Sequence, residues 1–218
     1  MYRFNGKRVI DVPPYVVNYD SQGKKTISTW IWMKPQNKKQ FIIAATDPQR
    51  LDRKHFALYT DSNKLIFIHR REKSSGSVIC KSQFTWKPKI FDVKWHHLVI
   101  TVDGCNAARL FVDSEEVPTI HTKSAWPLHG STMGKKIVIG AQWLGREQKF
   151  DDYFNGYLAG LSINTEEALN EEVKYARICL KLGSQLKEIP SSSDYRYMYV
   201  HVVKYTHAII TLSFFLGY

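Results

Sequence analysis

The feature that most constrains this chain is a recurring short segment rich in Val, Ile, Thr and aromatic residues, bounded by Pro, Gly, Asn, Asp or Lys. Such residues suit a pleated, half-buried surface, and the turn formers keep each run to strand length. Expected strands are Arg8–Val12, Thr26–Lys34, Phe41–Thr46, His55–Thr60, Lys64–His69, Val78–Thr85, Trp95–Asp103, Ala108–Asp113, Val117–Thr122, Lys136–Gln142 and Tyr153–Asn164. One open sheet holds so many strands poorly, so the expectation is all-β, with two antiparallel sheets packed face to face. Within Thr26–Lys34, the period of two places Ile27, Thr29, Ile31 and Met33 on one face and Trp30 and Trp32 on the other. Both faces are largely apolar, which predicts a central strand covered on both sides.

Hydrophobic residues form 44% of the chain and charged residues 23%, enough apolar material for a core, which excludes a disordered or fibrous chain. One segment reads as a helix, residues 165–180. Thr165 caps it, Glu166 and Glu167 sit where the helix dipole favours acids, and Leu169, Val173, Ala176 and Leu180 form an apolar stripe. The helix is expected to pack at the sandwich edge. Residues 1–189 are then one domain, followed over 190–218 by a linker beginning Pro190-Ser191-Ser192-Ser193 and an apolar tail. The polar start reads as no signal peptide, and the apolar run Ala208–Tyr218 is about half of what a membrane-spanning helix needs.

Lys and Arg outnumber Asp and Glu by 31 to 20, a net +11 that attracts nucleic acid, acidic headgroups or sulfated glycans. The cations fall in groups beside strands: Lys34, Lys38 and Lys39; Arg50, Arg53 and Lys54; Arg70, Arg71 and Lys73; Lys135 and Lys136. They are expected in loops or at strand ends. Cys80, Cys105 and Cys179 are widely spaced and odd in number, so a C-x-x-C metal or redox motif is excluded and at most one internal bridge can form. No Asn-x-Ser/Thr sequon is present.

Catalytic constellations are scarce. His96 and His97 are adjacent in an expected strand, where neighbouring side chains point to opposite faces, so they do not share a metal ion. They read as structural: one under the core, one hydrogen-bonded at a strand end. His121 and His129 have no ligand partners at metal spacing. The acidic pairs Glu115–Glu116, Asp151–Asp152 and Glu171–Glu172 are adjacent or helical, unlike the spaced carboxylates of a glycosidase, and no Gly-x-Ser-x-Gly elbow or phosphate loop occurs. Asp47, Asp61, Asp103, Asp113 and Asp151 lie at strand ends, where turns favour them and where calcium also finds oxygen ligands. The chain reads as a binding module with no catalytic residue and no cofactor beyond a possible structural calcium.

The strands from Trp95-His96-His97-Leu98-Val99 and Ala108-Arg109-Leu110-Phe111-Val112-Asp113 resemble paired strands of laminin-G domains. Ile137–Trp143 and Tyr153–Ile163 resemble that fold's closing strands. Within the superfamily, Phe4-Asn5-Gly6, Thr26–Trp30, Arg53–Tyr59 and Trp126-Pro127-Leu128-His129 are similar, in the same order, to the laminin-G/neurexin-like domain of calsyntenins. The resemblance covers roughly residues 3–182. It implies a jelly-roll sandwich of laminin-G/concanavalin A-like type, on the extracellular side of the plasma membrane, in a protein of cell adhesion at synapses. In that family the domain follows two cadherin repeats and precedes a membrane helix and a kinesin-binding tail. Family cysteines are replaced here by Phe91 or Asp92 and by Gln142, with only Cys179 kept of a later pair.

The implied partner is a cell-surface or synaptic protein; the alternative is a sulfated glycan or other polyanion. Nucleic acid and a small-molecule substrate are not expected. Rim loops are the expected contact, with Trp126 and Trp143 as aromatic anchors and Arg50, Arg53, Arg70 and Arg71 as cationic contacts.

Overall fold

A computed structural model describes residues 1–12, 25–46, 54–72, 78–103, 107–124, 136–144, 147–164, 201–204 and 208–211. In chain order the strands are β1 (Tyr2–Asn5), β2 (Ile10–Val12), β3 (Lys25–Met33), β4 (Gln40–Thr46), β5 (Lys54–Asp61) and β6 (Lys64–Glu72). β7 (Val78–Trp86), β8 (Trp95–Asp103), β9 (Ala107–Val112), β10 (Glu115–Val117), β11 (His121–Ser124) and β12 (Lys136–Ile139) follow. The last are β13 (Gln142–Leu144), β14 (Lys149–Asp151), β15 (Asn155–Asn164), β16 (His201–Lys204) and β17 (Ala208–Thr211).

Two antiparallel sheets carry most of these strands. One has the order β10-β9-β8-β3-β15-β17-β16, with β1 also paired to β15; the other runs β11-β7-β6-β5-β4-β12-β2. A small ribbon pairs β13 with β14. The core lies between the sheets: Ile27, Ile31, Met33, Leu98, Ile100, Leu110 and Leu158 from the first meet Ile43, Phe56, Leu58, Phe67, Phe84, Trp86 and Ile137 from the second. Each fully buried aliphatic or aromatic side chain contributes roughly 1.5–3 kcal/mol, so a cluster of this size sets which faces turn inward.

The alternation in β3 is as its pattern demands. Ile27, Thr29, Ile31 and Met33 are buried, and the strand is central, between β8 and β15. Thr29 is satisfied inside the core because its hydroxyl donates to the carbonyl of Ala159 at 3.2 Å, beside a bulge in β15 between Ala159 and Ser162. The outer face differs from expectation: Trp30 and Trp32 are only partly buried, covered by side chains of neighbouring strands.

Strand boundaries also differ. The expected Val117–Thr122 is two strands in different sheets, β10 and β11, because Pro118 cannot continue a ladder. The expected Lys136–Gln142 ends at Ile139, where Gly140 takes φ +86° and its N–H donates to the Ile42 carbonyl at 2.9 Å. The polar start holds β1, which buries Phe4 and pairs Tyr2–Asn5 with Leu158–Asn155. In the tail, β17 pairs with β15 and β16 with β17. The expected helix over 165–180 lies outside the described residues. So do Cys105 and Cys179, and the side chain of Cys80, which belongs to β7.

Candidate functional site

Residues of one parity on β1, β15, β3 and β8 line the outer face of the first sheet. The register sets Arg3 opposite Tyr157, Tyr157 opposite Trp32 and Trp32 opposite Trp95, a single row across four strands. All three aromatic side chains are partly buried, and Arg3 is exposed. The Trp32 and Tyr157 rings meet edge to face at 5.1 Å, Trp95 leans to within 6.2 Å of Tyr157, and the Arg3 guanidinium lies 5.9 Å from the Tyr157 ring. Such cation and edge-to-face contacts hold large apolar side chains in fixed positions at a surface. The next row sets Trp30 beside His97, centroids 5.1 Å apart.

His97 is buried on this face, 8% exposed, with Nε2 2.9 Å from Ser28 Oγ. Burial pushes its pKa below the usual imidazole range, so the ring is neutral near pH 7. His96 points the other way at the start of β8. Its Nδ1 donates to Asp113 Oδ2 at 2.7 Å and its Nε2 to Asp92 Oδ1 at 2.9 Å. Burial lowers the pKa of His96, but hydrogen bonds to the two carboxylates outweigh that and leave it raised. The two histidines lie on opposite faces as expected, and His96 is the one hydrogen-bonded at a strand end; the buried one, His97, sits on the outer face of the sheet rather than under the core.

The carboxylates gripping His96 stand on opposite edges of its ring, and among the described residues no three His, Cys, Asp or Glu side chains converge to hold a metal ion. Asp113 also accepts the His97 N–H, and Asp151 accepts the N–H of Asp152. Glu116 takes Arg109 in a two-point pair at 2.9 and 2.6 Å. Among the described residues, no helix is long and apolar enough to cross a membrane.

Of the contact residues expected from sequence, Trp126, Arg50 and Arg53 lie outside the described residues. Arg70 and Arg71 fall near the end of β6, opposite Lys81 and Cys80, and their side chains lie outside the description. Trp143 belongs to β13 and is partly buried, meeting Phe150 edge to face at 4.9 Å. The row that the structure brings together instead was half visible. Trp30 and Trp32 already shared a face by period, but Tyr157 and Trp95 join them only through register, which one strand's sequence does not encode.

Residues 5–174 match the family described as the concanavalin A-like lectin/glucanases superfamily, Laminin_G_3. The chain belongs to this family, and with the two-sheet jelly roll above it is a laminin-G-type domain. Within that class it is a divergent calsyntenin-like domain. It is 30% identical over 196 residues to calsyntenin-1 of Rattus norvegicus, covering 89% of this chain and 20% of the relative. It is 31% identical over 175 residues to calsyntenin-1 of Danio rerio, covering 79% of this chain and 18% of the relative. Thus the chain spans about a fifth of the length of the curated relatives it matches. Solved structures sharing the fold include the botulinum neurotoxin serotype G binding domain (TM-score 0.55, 13% identity, 82% of this chain and 42% of that one). Another is the Ruminococcus gnavus IT-sialidase CBM40 bound to α2,3-sialyllactose (TM-score 0.53, 14% identity, 71% and 83%).

Proposed function

We propose that this is a non-catalytic recognition domain of a calsyntenin-like adhesion protein, displayed outside the plasma membrane and binding a cell-surface protein. The observation that carries the reading is the row Arg3–Tyr157–Trp32–Trp95. Trp, Tyr and Arg dominate the energetics of protein interfaces, and a row fixed by ladder hydrogen bonds loses little conformational freedom on binding. The sequence's acidic pairs support the non-catalytic part: Glu116 is paired with Arg109, and Asp152 accepts from Gln142 at 2.6 Å and lies 3.8 Å from Lys39.

The test is binding of the labelled 218-residue chain to intact neurons, before and after protease stripping of the cell surface. Saturable binding that protease removes is expected, and Trp32→Ala is expected to weaken it by about 30-fold, the scale of an interface hot spot. Undiminished binding by a Trp32→Ala protein that melts like wild type would sink the assignment to this row.

A second reading, sulfated-glycan binding, is favoured by the end of the sandwich where β3, β5 and β7 finish and β4, β6 and β8 begin. Lys34, Lys38, Lys64, Lys87, Lys89 and Lys94 are exposed there. Lys39 is committed instead to the rings of Phe41 and Tyr59, at 5.0 and 5.1 Å. Glycan binding predicts retention on immobilised heparin that falls steeply with salt, and binding to neurons that heparin lyase abolishes. Retention independent of salt would remove it.

A further inference from the structure

The connection from β7 to β8 crosses from one sheet to the other, and its first half follows ordinary economy. Pro88 and Ile90 are buried while Lys87 and Lys89 face solvent. Val93 breaks the pattern twice. Its φ is +62°, a left-handed conformation that a β-branched side chain rarely adopts, and the residue is 47% exposed. Asn, Asp or Gly would occupy this backbone with less strain and no apolar exposure.

The conformation is held from several sides. The Val93 N–H donates to the Met33 carbonyl at 3.3 Å, the Lys94 N–H to Asp92 Oδ1 at 3.1 Å, and His96 Nε2 grips the same oxygen at 2.9 Å. Backbone strain fixed by its surroundings in this way gathers at ligand-contact positions. Among the described residues Val93 belongs to none of the buried hydrophobic clusters. Val93 also stands next to the aromatic row: it bonds the residue after Trp32 and lies two positions before Trp95.

We infer that Val93 is a preformed contact knob at the end of the Tyr157–Trp32–Trp95 row, built to enter an apolar socket, bordered by carboxylates, on a partner protein. The inference rests on the protein-recognition reading above and deepens it. The border is argued from charge. Lys34 follows Met33, whose carbonyl Val93 bonds, and Lys94 follows Val93 itself; both are exposed, whereas Oδ1 of Asp92 is already engaged by His96 and the Lys94 N–H. A row of laterally packed rings beside a single apolar knob fits a shaped protein surface better than a lipid bilayer, into which one valine inserts little apolar area.

The test measures melting temperature and binding to intact neurons for the full chain and for Val93→Asn, Val93→Gly, Lys34→Glu/Lys94→Glu and Trp32→Ala. Val93→Asn is expected to melt about 2–4 °C higher, because the strain is relieved, yet to bind at least about tenfold more weakly. Val93→Gly is expected to melt no lower than wild type with the same loss of binding, and the double lysine variant to bind more weakly with a flatter salt dependence. Wild-type binding by both Val93 variants, with Trp32→Ala defective, overturns the knob and leaves the row standing. Lower melting of both variants removes the strain argument and with it the inference. Absence of protease-sensitive binding by the wild-type chain defeats the protein-recognition reading itself. Equal binding of wild type and Val93→Asn to phosphatidylserine vesicles, or loss of neuronal binding on heparin lyase treatment alone, assigns the lysines to another partner and also overturns it.

Discussion

Asp113 holds His96 through a 2.7 Å bond from the imidazole Nδ1, while its other carboxylate oxygen accepts the N–H of His97 at 2.8 Å. The Asp113 N–H in turn donates to the His97 carbonyl at 2.9 Å, so the turn after β9 is tied to the first residues of β8 by both side chain and backbone. With Asp92 on its far side, His96 meets a carboxylate at each ring nitrogen, and only the imidazolium donates to both.

A pH dependence follows, with a sign. His96 has a raised folded pKa, so its contribution is fully present below the unfolded imidazole value of about 6.5 and is lost as pH rises through the folded value. His97, depressed by burial, works in the opposite sense: stability falls as pH drops below about 6.5, where the unfolded ring takes up a proton that the folded one resists. Asp92, lowered chiefly by its bond to His96, adds stability above about 3.9 that is lost as pH falls through its folded value. Melting curves from pH 4 to 9 are expected to show a maximum near neutrality. His96→Gln should flatten the alkaline side and His97→Gln the side just below pH 6.5; an unchanged alkaline slope in His96→Gln would contradict the assignment.

Gly140 is where one methyl group should matter most. A Cβ there would overlap the ring of Phe4, which is 1% exposed, and φ is +86°. The glycine also carries the joint between β4 and the segment before β15, through bonds to Ile42 and from Phe154. Combining a strained backbone with overpacking, Gly140→Ala is expected to destabilise by about 2–5 kcal/mol, read by urea unfolding. Gly6, also at positive φ but with nothing within 4 Å of such a Cβ, should lose less on the same change.

The Arg109–Glu116 pair should matter least. Its geometry is good, but both side chains are about half exposed, 45% and 47%. Water and salt screen such pairs, so Glu116→Gln is expected to cost less than about 1 kcal/mol, with the difference from wild type vanishing in high salt. A larger loss that persists in high salt would show that the pair acts through packing of Arg109 on Phe111, 4.8 Å away.

Sequence by itself determined the fold class, the central position of β3 and which of its residues face inward, because the period of two and the run of β-favouring residues are local properties. It also separated His96 from His97, since adjacent side chains in a strand diverge. Its boundaries failed where a single residue changed the path: Pro118 moved the chain between sheets, and Gly140 turned it out of β12. Tertiary structure alone decided the candidate site. Arg3, Trp32, Trp95 and Tyr157 are scattered through the chain and meet only because antiparallel register sets them opposite one another. Asp92 and Asp113 likewise find His96 from two separate connections. Register is fixed by burying whole faces at once, a property of the packed sheets that no one segment carries.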